Sequence, residues 1–150
     1  MRRTGLILAL LLLTAPAWAA GDGMVRMRSA HDVPTTTQRL VDGLEAKGMT
    51  VFTVIDHAAG AASAGLTLRP TRLVIFGNPK IGTRLMQCSQ SAAIDLPQKA
   101  LVWQDAAGET WIGYNASEYM ARRHDTGVCG GVVHKVGQAL RQFATAAAAR

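Results

Sequence analysis

The chain has 150 residues and a formal net charge of +6, with 16 lysines and arginines against 10 acidic residues. A chain of this length fits one domain with its own hydrophobic core. The basic residues are scattered, and Arg122-Arg123 is the longest basic run after the first 20 residues. Binding to a phosphate backbone requires clustered cations, so nucleic acid is excluded as a partner.

The first 20 residues have the three parts of a secretory signal peptide. Two arginines precede an apolar run at Leu6–Leu13, and small residues at Ala17 and Ala19 form a cleavage site. The apolar run is shorter than the about 20 residues that a bilayer-spanning helix needs. We predict a signal peptide over residues 1–19 and a single exported domain, periplasmic or secreted, over residues 20–150. Loss of the two arginines leaves this mature chain with a charge of 14 − 10 = +4 and with no transmembrane span.

The first elements of the domain are predicted to be a strand, a helix and a second strand. Met24–Ser29 alternates apolar and polar residues, which is typical of an edge strand. Thr35 and Gln38 have the spacing of a capping box and predict the start of a helix, which ends at Gly48. The β-branched and aromatic run Thr50–Ile55 predicts the next strand.

The middle of the chain is predicted to alternate short helices and strands. Ala58–Leu66 is rich in alanine and glycine and predicts a short helix that tolerates Gly60. Four consecutive apolar residues in Thr71–Phe76 predict a central strand. We interpret Gly77–Thr83 as a loop and Arg84–Cys88 as a short helix, and Pro97 marks the entry to the following strand.

A β-hairpin is the clearest local prediction. Leu101–Asp105 and Glu109–Tyr114 flank Ala106-Ala107-Gly108, and a three-residue connection with glycine last matches a type I turn followed by a bulge. Pairing Asp105 with Glu109 places Trp103 opposite Trp111, Leu101 opposite Gly113 and Val102 opposite Ile112. Both faces of this hairpin are apolar. One face belongs to the core, and the other is expected to meet helices, a ligand or a second copy of the chain.

The last helix is predicted to begin at about Gly130, and the tail Ala146–Arg150 is predicted to fray. Because strands and helices alternate incompletely along the chain, a mostly antiparallel sheet with helices on one face is favoured. The fold class is therefore α+β with two layers. The apolar stripe of the last helix consists of Val132, Val133, Val136, Leu140 and Phe143.

The segment Gly77–Thr83 follows a strand and has two glycines separated by four residues, as in a phosphate-binding loop. Thr83 stands where that motif requires lysine followed by serine or threonine, so nucleotide binding is excluded. A glycine-rich turn that leads into a helix can still hold an anion or a carboxylate through its backbone N–H groups. The alternative is a tight strand-to-helix turn in which Asn78 and Pro79 supply special backbone angles.

The two cysteines and the four histidines allow more than one chemistry. Cys88 and Cys129 are an even pair that an oxidising compartment would let form one disulfide, or each could be a buried free thiol. Cys129 precedes two glycines at a predicted helix start, where a thiolate would be stabilised, so a thiol or redox enzyme is an alternative function. The histidines match no common zinc spacing, and no metal site is predicted.

Asp56 and His57 end a strand and form the remaining candidate pair. A histidine beside a carboxylate serves as an acid, a base or a ligand, although such a pair is more often a structural hydrogen bond or simply exposed to solvent.

The chain as a whole resembles the bacterial and archaeal family called domain of unknown function 302. The Phe-Gly-Asn-Pro segment is the most specific part of the likeness, which covers about His31 to Phe143. The resemblance implies a compact α+β fold with helices on one side of a curved sheet, dimers in some members, and no established reaction. The other segments that carry it are Thr35–Leu44, Ile55–His57 with the alanine-rich stretch that follows, Leu68–Phe76, Gly82-Thr83, Asp95–Pro97 and Trp111–Asn115.

The residues and the resemblance together give a functional hypothesis. We expect a module that binds a small molecule or anion, or serves as an accessory protein, with its site where strand ends bring His57 near the Asn78–Thr83 loop. No catalytic residue and no cofactor is identified, and a homodimer is expected through the apolar hairpin face. The predicted ligand-binding residues are Asp56, His57, Gly77, Asn78, Gly82 and Thr83.

Overall fold

The computed structural model describes residues 23–150, so the predicted signal peptide over residues 1–19 lies outside the described residues. Within the described part, five strands and five helices follow one another. The strands are β1 (Met24–Arg28), β2 (Thr50–Asp56), β3 (Thr71–Gly77), β4 (Gln98–Gln104) and β5 (Thr110–Asn115). The helices are α1 (Val33–Ala46), α2 (His57–Ser63), α3 (Pro79–Cys88), α4 (Ser117–His124) and α5 (Gly130–Ala148), with 3-10 turns at Gln90–Ile94 and Gly127–Cys129.

The strands form one sheet in the order β1-β5-β4-β3-β2, and every neighbouring pair is antiparallel. This confirms the α+β fold class and the antiparallel sheet. It also confirms that Met24–Ser29 supplies an edge strand and that Thr71–Phe76 lies inside the sheet.

One face of the sheet carries the hydrophobic core. Side chains alternate between the two faces of a strand, and the register places Val74, Ala100 and Ile112 on the same face. Against this face pack α1 and α5, which also contact each other. Leu40 and Leu44 of α1 are 2% and 0% exposed. Val133, Val136 and Leu140 of α5 are buried as its predicted stripe requires, whereas Val132 and Phe143 are half-buried at its margin.

Helix α1 begins earlier than the capping-box spacing indicated. Asp32 is the N-cap, and its Oδ1 accepts a hydrogen bond from the backbone N–H of Thr35 at 2.8 Å. Pro34 follows in the first turn, where its missing N–H costs nothing. The predicted helix start at Thr35 was therefore wrong by three residues. The predicted end is confirmed, because Gly48 directly follows the C-cap with φ +71°.

Two helices differ from the sequence-based prediction. The segment interpreted as a Gly77–Thr83 loop is mostly helix, because Asn78 is the N-cap and Pro79 is the first residue of α3. Helix α4 was missed, since it is short and polar with Met120 as its one buried large apolar residue. Its signal was in the charges, with Glu118 in the first turn and basic residues in the last turn, as a helix dipole favours.

The predicted hairpin is confirmed in register and in turn. Trp103 pairs with Trp111, and the ring centroids are 6.4 Å apart in a stacked arrangement. Gly108 has φ +83°, a backbone conformation that glycine adopts without steric cost. The indole Nε1–H of Trp111 donates to Asp105 Oδ2 at 2.8 Å, and this bond together with backbone N–H donors lowers the pKa of Asp105.

The two tryptophans lie on the sheet face opposite the core. By strand alternation they share that face with Leu73, Ile75 and Leu101, and these side chains are all half-buried. The predicted short helix Arg84–Cys88 does not cover this face, because that segment belongs to α3, which packs against α5 on the core side.

The predicted fraying of Ala146–Arg150 is also wrong. Helix α5 continues to Ala148, which is only 7% exposed. The carbonyl of Ala148 accepts a hydrogen bond from the N–H of Ala30 at 2.9 Å, and the carbonyl of Ala149 accepts one from Arg39 Nη2 at 3.1 Å. Small side chains allow this helix end to pack closely, so composition alone was misleading.

The packing of α1 onto the sheet predicts a large stability difference between two leucines. Leu44→Ala should lower the free energy of unfolding by about 2–5 kcal/mol, because it leaves a cavity at a fully buried site. Leu66→Ala is the matched control, since Leu66 is 67% exposed, and should change stability by less than about 0.5 kcal/mol. Urea unfolding followed by circular dichroism measures both, and equal losses would contradict the assigned core.

Candidate ligand-binding cavity

The structure separates the six predicted site residues into two groups. Strands β2 and β3 are antiparallel, with Asp56 opposite Arg72 and Thr50 opposite Gly77. The end of β2 and the end of β3 therefore lie at opposite ends of the paired strands, roughly 17 Å apart along five residues of strand. These two rims, where the strands end, are here called the two edges of the sheet. The prediction that His57 lies near the Asn78–Thr83 loop was wrong, because it treated successive strand ends as if the strands were parallel.

At the first edge Asp56 has a structural role. Its Oδ1 accepts from the N–H of Ala59 at 3.0 Å and caps α2, and its Oδ2 accepts from Arg72 Nε at 3.0 Å. The Ala59 hydrogen bond, followed by the Arg72 side chain, lowers the pKa of the Asp56 carboxyl. His57 is the first residue of α2 and is exposed. This edge matches the alternative interpretation of the pair, a structural hydrogen bond beside a solvent-exposed histidine.

At the other edge four predicted residues line one cavity of about 500 Å³. These residues are Gly77, Asn78, Gly82 and Thr83. The cavity lies between α3, the segment that enters β4, and one face of α5, and its volume falls within the range of small-molecule sites.

The cavity wall is almost wholly apolar. Phe76, Met86 and Leu96 line it, and Ala139 and Phe143 line it from α5. The polar residues that line it are Asn78, Thr83, Gln98 and Lys135. Such a wall suits an apolar molecule with one polar group.

The turn before α3 does not present an open anion site. The N–H groups of Ile81 and Gly82 donate to the carbonyl of Asn78 at 3.0 and 2.9 Å, and the N–H of Lys80 donates to Asn78 Oδ1 at 3.0 Å. An anion would need these donors. The structure therefore shows the tight strand-to-helix turn, which was the alternative interpretation.

Small residues keep the cavity open. A Cβ atom at Gly77 would lie 3.3 Å from Phe52 and 3.5 Å from Pro97, so a larger residue would push on both rings. A Cβ atom at Gly82 would have only Leu96 within 4 Å, at 3.9 Å, so a side chain there has room to extend from the α3 wall.

The α5 wall was missed from the sequence. The helical stripe placed Lys135 outside the core, and the structure puts it beside Val136 and Ala139 on the cavity wall. Periodicity identifies the apolar side of a helix, but it does not show whether other side chains of the protein fill the space beside that side. Ala139, a small residue beside the predicted apolar position Leu140, was the available signal.

The structure joins Cys88 and Cys129 in a disulfide, with Cα atoms 6.3 Å apart. This distance lies within the range that a disulfide spans. The bond ties the end of α3 to the start of α5, the two helices that face each other across the cavity. Of the two interpretations, the structure shows the bonded pair.

Two kinds of site are absent from residues 23–150. No group of three or more His, Cys, Asp or Glu side chains in this range is arranged to hold a metal ion. No helix in the same range is long and apolar enough to cross a membrane.

Comparison with known proteins identifies a matching family and a solved structure with the same fold. The model of a family described as domain of unknown function DUF302 matches residues 25–147. A crystal structure of an uncharacterized conserved protein DUF302 from Bacillus stearothermophilus superposes with a TM-score of 0.76, covering 84% of this chain and 98% of that chain at 17% identity. That likeness shows the fold alone.

Curated relatives carry a different name. A protein of Brucella suis named fluoride-specific ion channel FluC 1 is 44% identical over 113 residues, which is 75% of this chain and 44% of that protein. A Brucella melitensis protein named fluoride-specific ion channel FluC 2 is 44% identical over the same length, 42% of its own. The chain therefore spans less than half the length of these relatives.

The disulfide gives the second testable prediction. Replacing both Cys88 and Cys129 by serine should lower the free energy of unfolding by roughly 3–4 kcal/mol, because the bond closes a loop of about 40 residues in the unfolded chain. Mass spectrometry after alkylation of the unreduced protein should find no modified cysteine. Two alkylated thiols in unreduced protein would contradict the disulfide, and Ser63→Ala controls for the loss of an exposed side chain elsewhere.

Proposed function

This chain belongs to the DUF302 family, and we propose that it is a binding module for a small, mainly apolar molecule. The cavity of about 500 Å³ between α3 and α5 is the observation that carries the proposal. Apolar cavities exclude ordered water and take up apolar molecules, because water gains too few hydrogen bonds inside them.

The proposed ligand has an apolar body and one acidic group. The apolar walls would take the body, and Lys135 is the cationic residue on the cavity wall. Lys135 is exposed, so its ammonium group remains hydrated and could meet a carboxylate at the mouth. A medium-chain carboxylate such as decanoate has this chemistry.

We also propose that the protein acts outside the cytoplasm. The support is the basic start, apolar run and alanine cleavage site of residues 1–19. A disulfide between Cys88 and Cys129 agrees with an oxidising compartment.

An accessory role beside a membrane channel is the second form of the proposal. Its support is the name of the Brucella relatives, of which this chain matches less than half. The cavity itself does not favour fluoride, since a small, strongly hydrated anion gains little from apolar walls. A module that served a channel by binding its ion would be stabilised by sodium fluoride more than by sodium chloride.

The alternative function, a thiol or redox enzyme, is supported by the half-buried disulfide at the start of α5. Such an enzyme would cycle its disulfide. A bond that resists dithiothreitol in the folded protein would contradict this alternative and leave the disulfide a structural bond.

The third prediction tests the cavity with a matched pair of glycines. Decanoate should raise the melting temperature of the wild type, and Gly82→Leu should abolish this shift because the new side chain fills the cavity. Gly60→Leu is the control, since Gly60 lies in the exposed helix α2 with nothing within 4 Å of its Cβ position. It should keep the full shift.

Lys135→Gln should weaken the decanoate shift and leave that of the neutral analogue decanol unchanged. Differential scanning fluorimetry measures each melting temperature with and without probe, and sodium fluoride against sodium chloride is a further arm. Unchanged decanoate stabilisation in Gly82→Leu would contradict the cavity as the site.

The fourth prediction concerns a homodimer through the sheet face that carries the tryptophans. We propose this interface because Leu73, Leu101 and the stacked Trp103–Trp111 pair form a contiguous apolar surface, which monomers rarely leave in water. Light scattering after size exclusion should give a dimer for the wild type and a monomer for Trp103→Ser. A wild type that remains monomeric at high concentration contradicts the interface.

A further inference from the structure

A buried histidine away from the cavity mouth has both ring nitrogens engaged. His124, at the end of α4, is 8% exposed. Its Nε2 lies 2.6 Å from Asp95 Oδ2, and its Nδ1 lies 3.0 Å from Ser91 Oγ. These three residues, here called the Ser91 cluster, come from two segments separated by more than 20 residues of chain.

Hydrogen-bond chemistry assigns the proton positions in the Ser91 cluster. An ionised carboxylate only accepts, so His124 Nε2 carries a hydrogen and donates it to Asp95. In the neutral imidazole Nδ1 is then unprotonated, and it accepts the hydroxyl hydrogen of Ser91. A serine hydroxyl that donates to an imidazole held by a carboxylate is the arrangement that activates a nucleophile.

The surrounding structure holds the Ser91 cluster in place. Asp95 also accepts from Arg123 Nη1 through its Oδ1 at 3.2 Å. Ser91 and Asp95 lie on and directly after the 3-10 turn Gln90–Ile94, which follows Cys88 closely. The disulfide from Cys88 to Cys129 joins this segment to the one that follows His124, so both halves of the cluster are linked covalently.

The solvent exposure of the three residues suits a reaction at the serine hydroxyl. The Ser91 residue is exposed, while His124 is buried and Asp95 is half-buried. A substrate can therefore approach the hydroxyl, and water has limited access to the base. Two hydrogen bonds already hold the imidazole ring of His124 in place, so little conformational entropy is lost when the reaction begins.

We propose that Ser91 is an activated nucleophile that takes the acyl group from small carboxylic esters. His124 is its catalytic base, and Asp95 is a positioning residue that acts through the ring. This site is separate from the proposed cavity, because Ser91 does not line that cavity. The proposal for Ser91 therefore does not depend on ligand binding in the cavity.

The reaction balances with water as the only co-reactant. Ser91 Oγ attacks the ester carbonyl carbon, and His124 Nδ1 accepts the hydroxyl proton. The bond from carbonyl carbon to the alcohol oxygen breaks, and the proton passes from His124 to the leaving alcohol. Water then adds to the acyl-Ser91 ester with His124 as base, which releases the carboxylic acid and restores the serine hydroxyl.

Labelling with a fluorophosphonate, followed by peptide mass spectrometry, tests the nucleophile directly. Wild-type protein should carry the label on Ser91, and Ser91→Ala should carry none. Ser89→Ala is the matched control, because Ser89 Oγ lies 3.1 Å from Ser91 Oγ and its hydroxyl has no role in the reaction. It should label as the wild type does. An unlabelled wild type, or a label on Ser89, overturns the proposal.

The base and the positioning residue have separate readouts. His124→Gln should slow p-nitrophenyl acetate turnover by about 10²-fold or more, the contribution typical of a general base. Asp95→Asn should change the nitrogen-15 chemical shifts of the His124 ring, because the tautomer is no longer fixed by a carboxylate.

Circular dichroism of each variant is the control that checks whether the variant is folded. Equal turnover in folded wild type and His124→Gln would overturn the role of His124, and unchanged ring shifts in folded Asp95→Asn would overturn that of Asp95.

Discussion

The antiparallel pairing of β3 with both of its neighbours decides where the functional groups of this domain lie. It puts Asp56 opposite Arg72 at one edge of the sheet and Phe76 opposite Gln98 at the other. The first edge is closed by an ion pair and a helix cap. At the second edge the chain leaves β3 into α3 beside the point where it enters β4, and two connections and α5 surround a space that their side chains do not fill.

Local signals predicted much of the fold. β-branched runs gave β2 and β3, and the spacing of Gly108 between two aromatic strands gave the hairpin register to the residue. The start of α3 was misread because Gly77, Asn78, Pro79 and Gly82 together resemble a loop, although asparagine followed by proline is also how a helix begins. These errors arise where one short pattern favours two structures.

The site was harder to predict than the fold because it depends on long-range geometry. Four of its residues were found by their unusual composition, but Asp56 and His57 were grouped with them on a wrong assumption about strand direction. The cavity is a gap between side chains, and nothing in a periodic pattern marks a gap. The Ser91 cluster was equally hidden, since hydrogen bonds join His124 to residues 29 and 33 positions earlier in the chain.

The contact between α1 and α5 has a consequence for how the domain is made. Helix α1 emerges early in synthesis, yet Leu40 and Leu44 find part of their packing, and Arg39 its carbonyl partners, only when the far end of α5 arrives. Contacts between distant parts of a chain form late and slow folding. A nascent chain that still lacks α5 has no complete core, so the domain can finish folding only after nearly all of its residues have been synthesised.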